Sequence, residues 1–194
     1  MQIRLSSPLQ SDSVVDGEGI RTVIWTQGCP HHCKGCHNPE THSFNKGFLK
    51  DVDELINEIK ALELQDGITF SGGDPMMQAK ECTVIAKSCK EMGYNIWCYT
   101  GYDFEKDVYG KMYKEYPYTR ELLEGIDIMV DGEFVEEKKL IDLKFRGSTN
   151  QKKIDVQASL KAGSVVQLKF GDEARYEKEE TKNPKVIFFK EFKD

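Results

Sequence analysis

The sequence predicts an α/β fold on a mainly parallel sheet, either open or curved into a part-barrel. Three observations carry this. Short β-branched runs alternate with helical stretches, the order that βα units produce. Almost every such run leads straight into a loop of unusual composition. The right-handed crossover rule then leaves few ways of joining the units.

Taken in order, Arg21–Thr26 reads as a strand, nearly continuous in apolar and β-branched character. A loop of Gly, Pro, Cys, His and Asn follows. Asp51 caps a helix, with Glu54 three residues later. Val52, Leu55, Ile56, Ile59 and Leu62 form its apolar face. Gly67–Ser71 is a strand that enters Gly72-Gly73-Asp74-Pro75. Met77–Met92 is a second helix, stopped by Gly93. Asn95–Thr100 is a strand ended by Gly101. Asp103–Glu124 is helical in composition and interrupted at Pro117. Ile126–Val130 is a strand ended by Asp131-Gly132, and Leu143–Arg146 reads as a fifth. Ser164–Phe170 and Lys185–Lys190 read as two further strands, and the second ends in lysine as managed edge strands do. In βα architectures the carboxyl ends of strands share one rim, where ligands bind. The loops at residues 28–42, 72–75, 100–101, 131–132 and 146–148 are therefore expected to converge.

The chain has 194 residues, enough for one domain, with 39% apolar and 31% charged side chains. There are 27 basic and 33 acidic groups, a net charge of −6. That balance argues against a protein built to grip nucleic-acid phosphate. No P-loop and no Gly-x-Gly-x-x-Gly is found. No apolar run is long enough to cross a bilayer, and Met1–Leu5 carries no signal-peptide block. A cytoplasmic protein with no membrane or nucleic-acid partner is expected.

Six cysteines in such a chain are expected to be reduced thiols or metal ligands. Cys29, Cys33 and Cys36 are spaced Cys-x3-Cys-x2-Cys, and all four histidines, His31, His32, His37 and His42, lie inside or beside them. Zinc with a histidine as fourth ligand fits this spacing. So does a [4Fe–4S] cube held by three thiolates, with one iron open to substrate. Gly72-Gly73-Asp74 one βα unit later tilts the balance. Two glycines let a ligand approach the backbone closely, and a carboxylate beside them can accept from an ammonium. Cys82 and Cys89, seven apart on a helix, and Cys98 on a strand read as packing.

Together these blocks resemble the radical S-adenosylmethionine (SAM) enzymes. The match narrows to the activating enzymes of anaerobic ribonucleotide reductases. It is carried by Val15-Asp16-Gly17-Glu18-Gly19-Ile20-Arg21-Thr22, by Gln27-Gly28-Cys29 through Cys36-His37-Asn38-Pro39-Glu40-Thr41, and by Phe70-Ser71-Gly72-Gly73-Asp74-Pro75. Tyr99-Thr100-Gly101-Tyr102, Met129-Val130-Asp131-Gly132-Glu133-Phe134 and Phe145-Arg146-Gly147-Ser148-Thr149-Asn150-Gln151 complete it. Gly35 stands where many radical SAM proteins have an aromatic residue, and Asp74 where many have Glu.

The resemblance implies a partial (βα) barrel with a C-terminal β addition. It implies one [4Fe–4S] cluster on Cys29, Cys33 and Cys36, and SAM bound by Gly35, His37, Gly72, Gly73, Asp74, Thr100 and Asp131. Gly72, Gly73 and Asp74 would take the methionine ammonium, and the backbone at Gly35 and His37 would border the adenosine. The implied reaction is one-electron reductive cleavage of SAM to methionine and 5′-deoxyadenosine, leaving a glycyl radical on the protein substrate, an anaerobic ribonucleoside-triphosphate reductase. A low-potential donor such as flavodoxin would supply the electron. Residues 1–164 would form the radical SAM domain and 165–194 a two-stranded extension packed on it. Competing readings are an activase for another glycyl-radical enzyme such as pyruvate formate-lyase, a small radical SAM synthase, and, in a different class, a zinc-binding interaction module.

Overall fold

The computed structural model describes residues 1–171. Among these residues one sheet organises the chain. Its strands are β1 (Gln2–Leu5), β2 (Gln10–Ser13), β3 (Arg21–Thr26), β4 (Phe48–Asp51), β5 (Gly67–Gly72), β6 (Asn95–Tyr99), β7 (Ile128–Asp131), β8 (Lys152–Asp155) and β9 (Gln167–Leu168). Their order is β4-β1-β3-β5-β6-β7-β8-β9, with β2 paired to β3 off this path. The centre, β3-β5-β6-β7, is parallel. Both flanks are antiparallel. The sheet does not close, so the fold is a part-barrel with a C-terminal β addition.

The helices are α1 (Val52–Lys60), α2 (Ala79–Glu91), the short turn α3 (Tyr113–Glu115), α4 (Pro117–Gly125) and α5 (Val156–Ala162). Asp51 caps α1, its Oδ1 accepting from the Asp53 and Glu54 amides at 2.9 and 3.2 Å. Ile56 and Ile59 of α1, Cys82, Ile85 and Cys89 of α2, and Leu122 of α4 pack on Ile24, Ile68, Phe70, Ile96, Cys98 and Met129 from one face of the sheet. Alternate residues of the same strands point the other way. There Trp97 and Val130 pack with Phe170, Tyr99, Ile128 and Phe145. Arg21 is buried on this inner face. Its guanidinium donates to Thr69 Oγ1 (2.7 Å), the Asn95 carbonyl (2.9 Å), the Glu18 carbonyl (3.0 Å) and the Ile68 carbonyl, and lies over the Trp97 ring. This network closes the end of the part-barrel where the parallel strands begin.

Several expectations need correction. Leu143–Arg146 is not a strand: Phe145 takes a φ of 55° and its ring packs edge-on against Trp97 at 5.6 Å. The segment covers the inner face instead of pairing, and the antiparallel neighbour of β7 is β8. Met77–Met92 begins as a 3₁₀ turn, Pro75–Gln78, capped by Asp74. Asp103–Glu124 is π-helical over Phe104–Met112 and breaks before Pro117, the first residue of α4. The first expected tail strand is present as β9, added antiparallel to β8. The second lies outside the described residues. No described helix is long and apolar enough to cross a membrane.

Candidate functional site

The carboxyl ends of β3, β5, β6 and β7 converge, as the rim rule expects. A cleft there is lined by Cys29, Cys33 and Cys36 from the loop after β3, and by Ser71, Gly72 and Gly73 at the end of β5. Tyr99, Thr100, Gly101, Gly132, Phe134 and Gln151 complete it on the far side, with His31, Thr41 and His42 beside the cysteines. The three loop thiols are partly exposed, whereas Cys82, Cys89 and Cys98 are buried.

The cysteine loop is anchored at its base. The Gly28 amide donates to the Thr41 carbonyl (2.8 Å), the Cys29 amide to the His42 carbonyl (3.1 Å), and the Asp74 amide to the Gly28 carbonyl (2.8 Å). Gly72 and Gly73 permit this approach. A Cβ on Gly73 would stand 2.4 Å from the Gly28 oxygen, and one on Gly72, whose φ is 99°, 2.5 Å from the Thr26 oxygen. Two separate sequence motifs are thus one backbone contact in space.

Asp74 lies beneath the rim rather than on it. It is buried, and its carboxylate accepts from Thr100 Oγ1 (2.9 Å), the Gly101 amide (3.0 Å) and the Met76 amide (3.0 Å). Its fourth partner is His31, whose Nε2 is 2.8 Å from Asp74 Oδ2. The other ring nitrogen of His31 is 3.3 Å from Glu133 Oε1. Burial opposes the imidazolium, but Asp74 and Glu133 outweigh it and raise the His31 pKa. Asp131 is also buried, held by the Phe104 amide (2.7 Å) and the Lys152 ammonium (3.2 Å). His37 packs against Phe134 at 4.9 Å, and Gly35 faces the Glu136 side chain. Of the ten residues expected to bind cluster or cofactor, Cys29, Cys33, Cys36, Gly72, Gly73 and Thr100 therefore line the cleft. Gly35 and His37 flank it, and Asp74 and Asp131 support it from below. His31, Gly101 and Gln151 were not assigned to the cofactor from sequence, although the motif blocks contain all three.

The donor set suits the cube better than zinc. The three histidines expected as a fourth ligand each have another engagement: His31 with Asp74, His32 edge-on to His42 at 5.0 Å, His37 on Phe134; His42, not among them, lines the cleft with its Nε2 unpartnered. Among the described residues no three His, Cys, Asp or Glu are gathered around one point as a single ion requires. A cube asks for one thiolate per iron. Burial, partly offset by the His31 amide, and then the field of Asp74 push the Cys29 thiol up to about 11. Cys33 is raised too, by burial and then, against an offset from the Phe134 amide, by Glu133. Metal uptake must displace these protons.

A family model for a 4Fe-4S single cluster domain matches residues 15–154. The anaerobic ribonucleoside-triphosphate reductase-activating protein of Haemophilus influenzae is 34% identical over 148 residues, which cover 71% of this chain and 89% of that protein. The protein of the same name from Escherichia coli K12 is 33% identical over 147 residues, 71% of this chain and 90% of that one. The chain belongs to this activating-protein family. The matched span takes in all three cysteines of the cleft and both glycines of the β5 rim, so the resemblance drawn from the motifs holds for the family. The pyruvate formate-lyase-activating enzyme of Clostridium pasteurianum is 38% identical over 90 residues, 44% of this chain and 38% of that protein. The crystal structure of QueE from Escherichia coli matches with a TM-score of 0.43 at 15% identity, over 52% of this chain and 53% of that chain.

Proposed function

We propose that this family member activates an anaerobic ribonucleoside-triphosphate reductase by generating a glycyl radical on it, using SAM and a [4Fe–4S] cluster. The observation that supports this most is the contact of the Cys29–Cys36 loop with the Gly72-Gly73 edge in one cleft. Three thiols then stand beside a backbone edge that nothing larger than glycine could form.

When bound, the cluster would supply the one electron that splits SAM, and the substrate glycine would give up the hydrogen atom that completes 5′-deoxyadenosine, leaving the glycyl radical beside free methionine. The chain's own residues bind and orient. Cys29, Cys33 and Cys36 would hold the cluster, leaving one iron without a protein ligand and open to SAM. The Gly72–Gly73 edge takes the ammonium. Asp74 fixes that edge from below through Met76, Thr100 and Gly101. Gly35 and His37 border the adenosine, and Asp131 holds the start of the π-helical segment at the Phe104 amide. The inner face behind the cleft is closed by Arg21, Trp97 and Phe145, so the glycine-bearing segment enters from the rim. The electron comes from a low-potential donor of the flavodoxin type. Six free cysteines suit the reducing cytoplasm. No nucleic acid or membrane takes part.

Anaerobic reconstitution with iron and sulfide, followed by SAM, a reductant and the reductase, tests this. A glycyl radical detected by electron paramagnetic resonance on the reductase is the expected result. The shorter match to a pyruvate formate-lyase-activating enzyme makes that lyase the comparison partner. A radical on the lyase and none on the reductase would reverse the assignment.

A further inference from the structure

The backbone of the cysteine loop is tied down at its base but not at its tip, where the Phe134 amide meets only the Cys33 side chain. Among the described residues, the backbone of residues 30–35 makes no hydrogen bond to the backbone of another element; Cys36 closes only onto Cys33 within the loop. The Lys34 side chain reaches Glu136 at 2.9 Å, but it is 82% exposed, and exposed pairs contribute little. His31 is the opposite case. Its side chain is only 9% exposed, and both ring nitrogens face carboxylates on other loops, Asp74 after β5 and Glu133 after β7. Its ring packs edge-on against Tyr102 at 4.4 Å and lies against the Gly101 backbone, where a Cβ would come within 2.4 Å of ring carbon Cδ2. One side chain, set between Cys29 and Cys33, therefore touches three of the loops that form the rim.

We propose that His31 is a positioning residue: it fixes the tip of the cysteine loop against Asp74 and Glu133, and so sets the distance between the three thiolates and the Gly72–Gly73 edge. This rests on the cofactor reading above. That distance must suit a ligand which spans both the open iron and the glycine edge. A loop that drifts by about 1 Å keeps its thiolates but no longer presents cluster and edge to one molecule. His31 acts through Asp74 and Glu133 and binds no iron itself.

The test compares the parent with His31→Ala, His31→Gln, Gly101→Ala and His32→Asn, each reconstituted anaerobically with iron and sulfide. Three quantities are read: iron per chain, SAM affinity by equilibrium binding, and the change that SAM causes in the paramagnetic resonance spectrum of the reduced cluster. His31→Ala is expected to take up iron, yet to bind SAM at least about tenfold more weakly, the size of a lost charge-assisted contact, and to lose the SAM-induced spectral change. His31→Gln, which keeps one donor for Asp74, should recover part of both. Gly101→Ala leaves His31 and Asp74 chemically intact and displaces the ring, so it should repeat the loss; it also covers the case in which His31→Ala fails to fold. His32 is exposed, and His32→Asn should match the parent. Parental SAM affinity and spectral change in both His31→Ala and Gly101→Ala would overturn the proposal, as would an equal loss in His32→Asn. A parent that takes up iron but shows no response to SAM would instead bring down the cofactor reading itself.

Discussion

The carbonyl oxygen of Gly28 lies 2.4 Å from the point where a Cβ on Gly73 would stand. The obstacle is backbone on both sides, so no rotamer change can relieve it. Gly73→Ala must push the cysteine loop away from the end of β5 or break the 2.8 Å bond from the Asp74 amide to Gly28. Iron uptake in reconstitution should fall severalfold in this variant. Gly93→Asn serves as the contrast, because Gly93 has a φ of 84° and nothing within 4 Å, and asparagine tolerates that conformation. It should reconstitute like the parent. Equal iron contents in all three proteins would show that the contact is not required.

Removing Asp74 strips a partner from several buried donors at once. Each donor left unpaired costs about 1–3 kcal/mol, so Asp74→Ala should lower the melting temperature by about 10 °C or more for a chain of this size. SAM affinity should fall with it by about ten- to a hundredfold, more than iron content does. An unchanged melting temperature would remove Asp74 from its supporting role, and unchanged SAM affinity would separate that role from the site.

The two sets of cysteines should part cleanly. Cys29→Ala, Cys33→Ala and Cys36→Ala each remove one of the three thiols proposed to hold the cluster, and each should fail to hold it. Cys82, Cys89 and Cys98 are fully buried, and burial pushes the Cys89 thiol up to about 12 and raises the other two as well. Their alanine variants should keep parental iron and lose about 1 kcal/mol of stability to a small cavity. A cluster retained in Cys33→Ala, or lost in Cys89→Ala, contradicts the assignment.

Lys152 is the cation that compensates Asp131. Burial raises the Asp131 carboxyl above its ordinary value, against the pull of the Phe104 amide and of Lys152. Folded Asp131 therefore binds its proton more readily than unfolded Asp131, and its contribution falls as pH rises through the raised value. Lys152→Met leaves the carboxylate buried without its cation and should cost about 3 kcal/mol at neutral pH. The raised value then climbs further, so the deficit should shrink on acidification. Urea unfolding of parent and variant at pH 5 and pH 7.5 checks the sign. A deficit as large at pH 5 as at pH 7.5 would refute it.

Much of this protein was legible in one dimension. Several local signals and the structure agree: Asp51 caps α1, and β3, β5 and β6 lie almost where their β-branched runs put them. The cysteine spacing and the glycine pair marked the cleft because ligand chemistry demands particular residue types at short range. Leu143–Arg146 went astray for the opposite reason. Its alternation suits a strand, but the inner face needed a cover, and packing Phe145 against Trp97 outweighed a further ladder. The flanking strands β1, β2 and β4 also passed unnoticed, since each is four residues long and only its long-range partners make it a strand.

The sequence by itself determined the cofactor chemistry and the family, since both reside in residue types and spacings that need no third dimension. Tertiary structure alone decided which of those residues line the cleft and which stand behind it. Asp74 reads as a ligand-binding carboxylate in sequence, yet it is buried among Met76, Thr100, Gly101 and His31. No spacing rule could have paired it with His31, forty-three residues earlier. That pairing exists because β5 lies beside β3 in register, which places their end loops against each other, and a carboxylate taken out of water there must find donors on its neighbours.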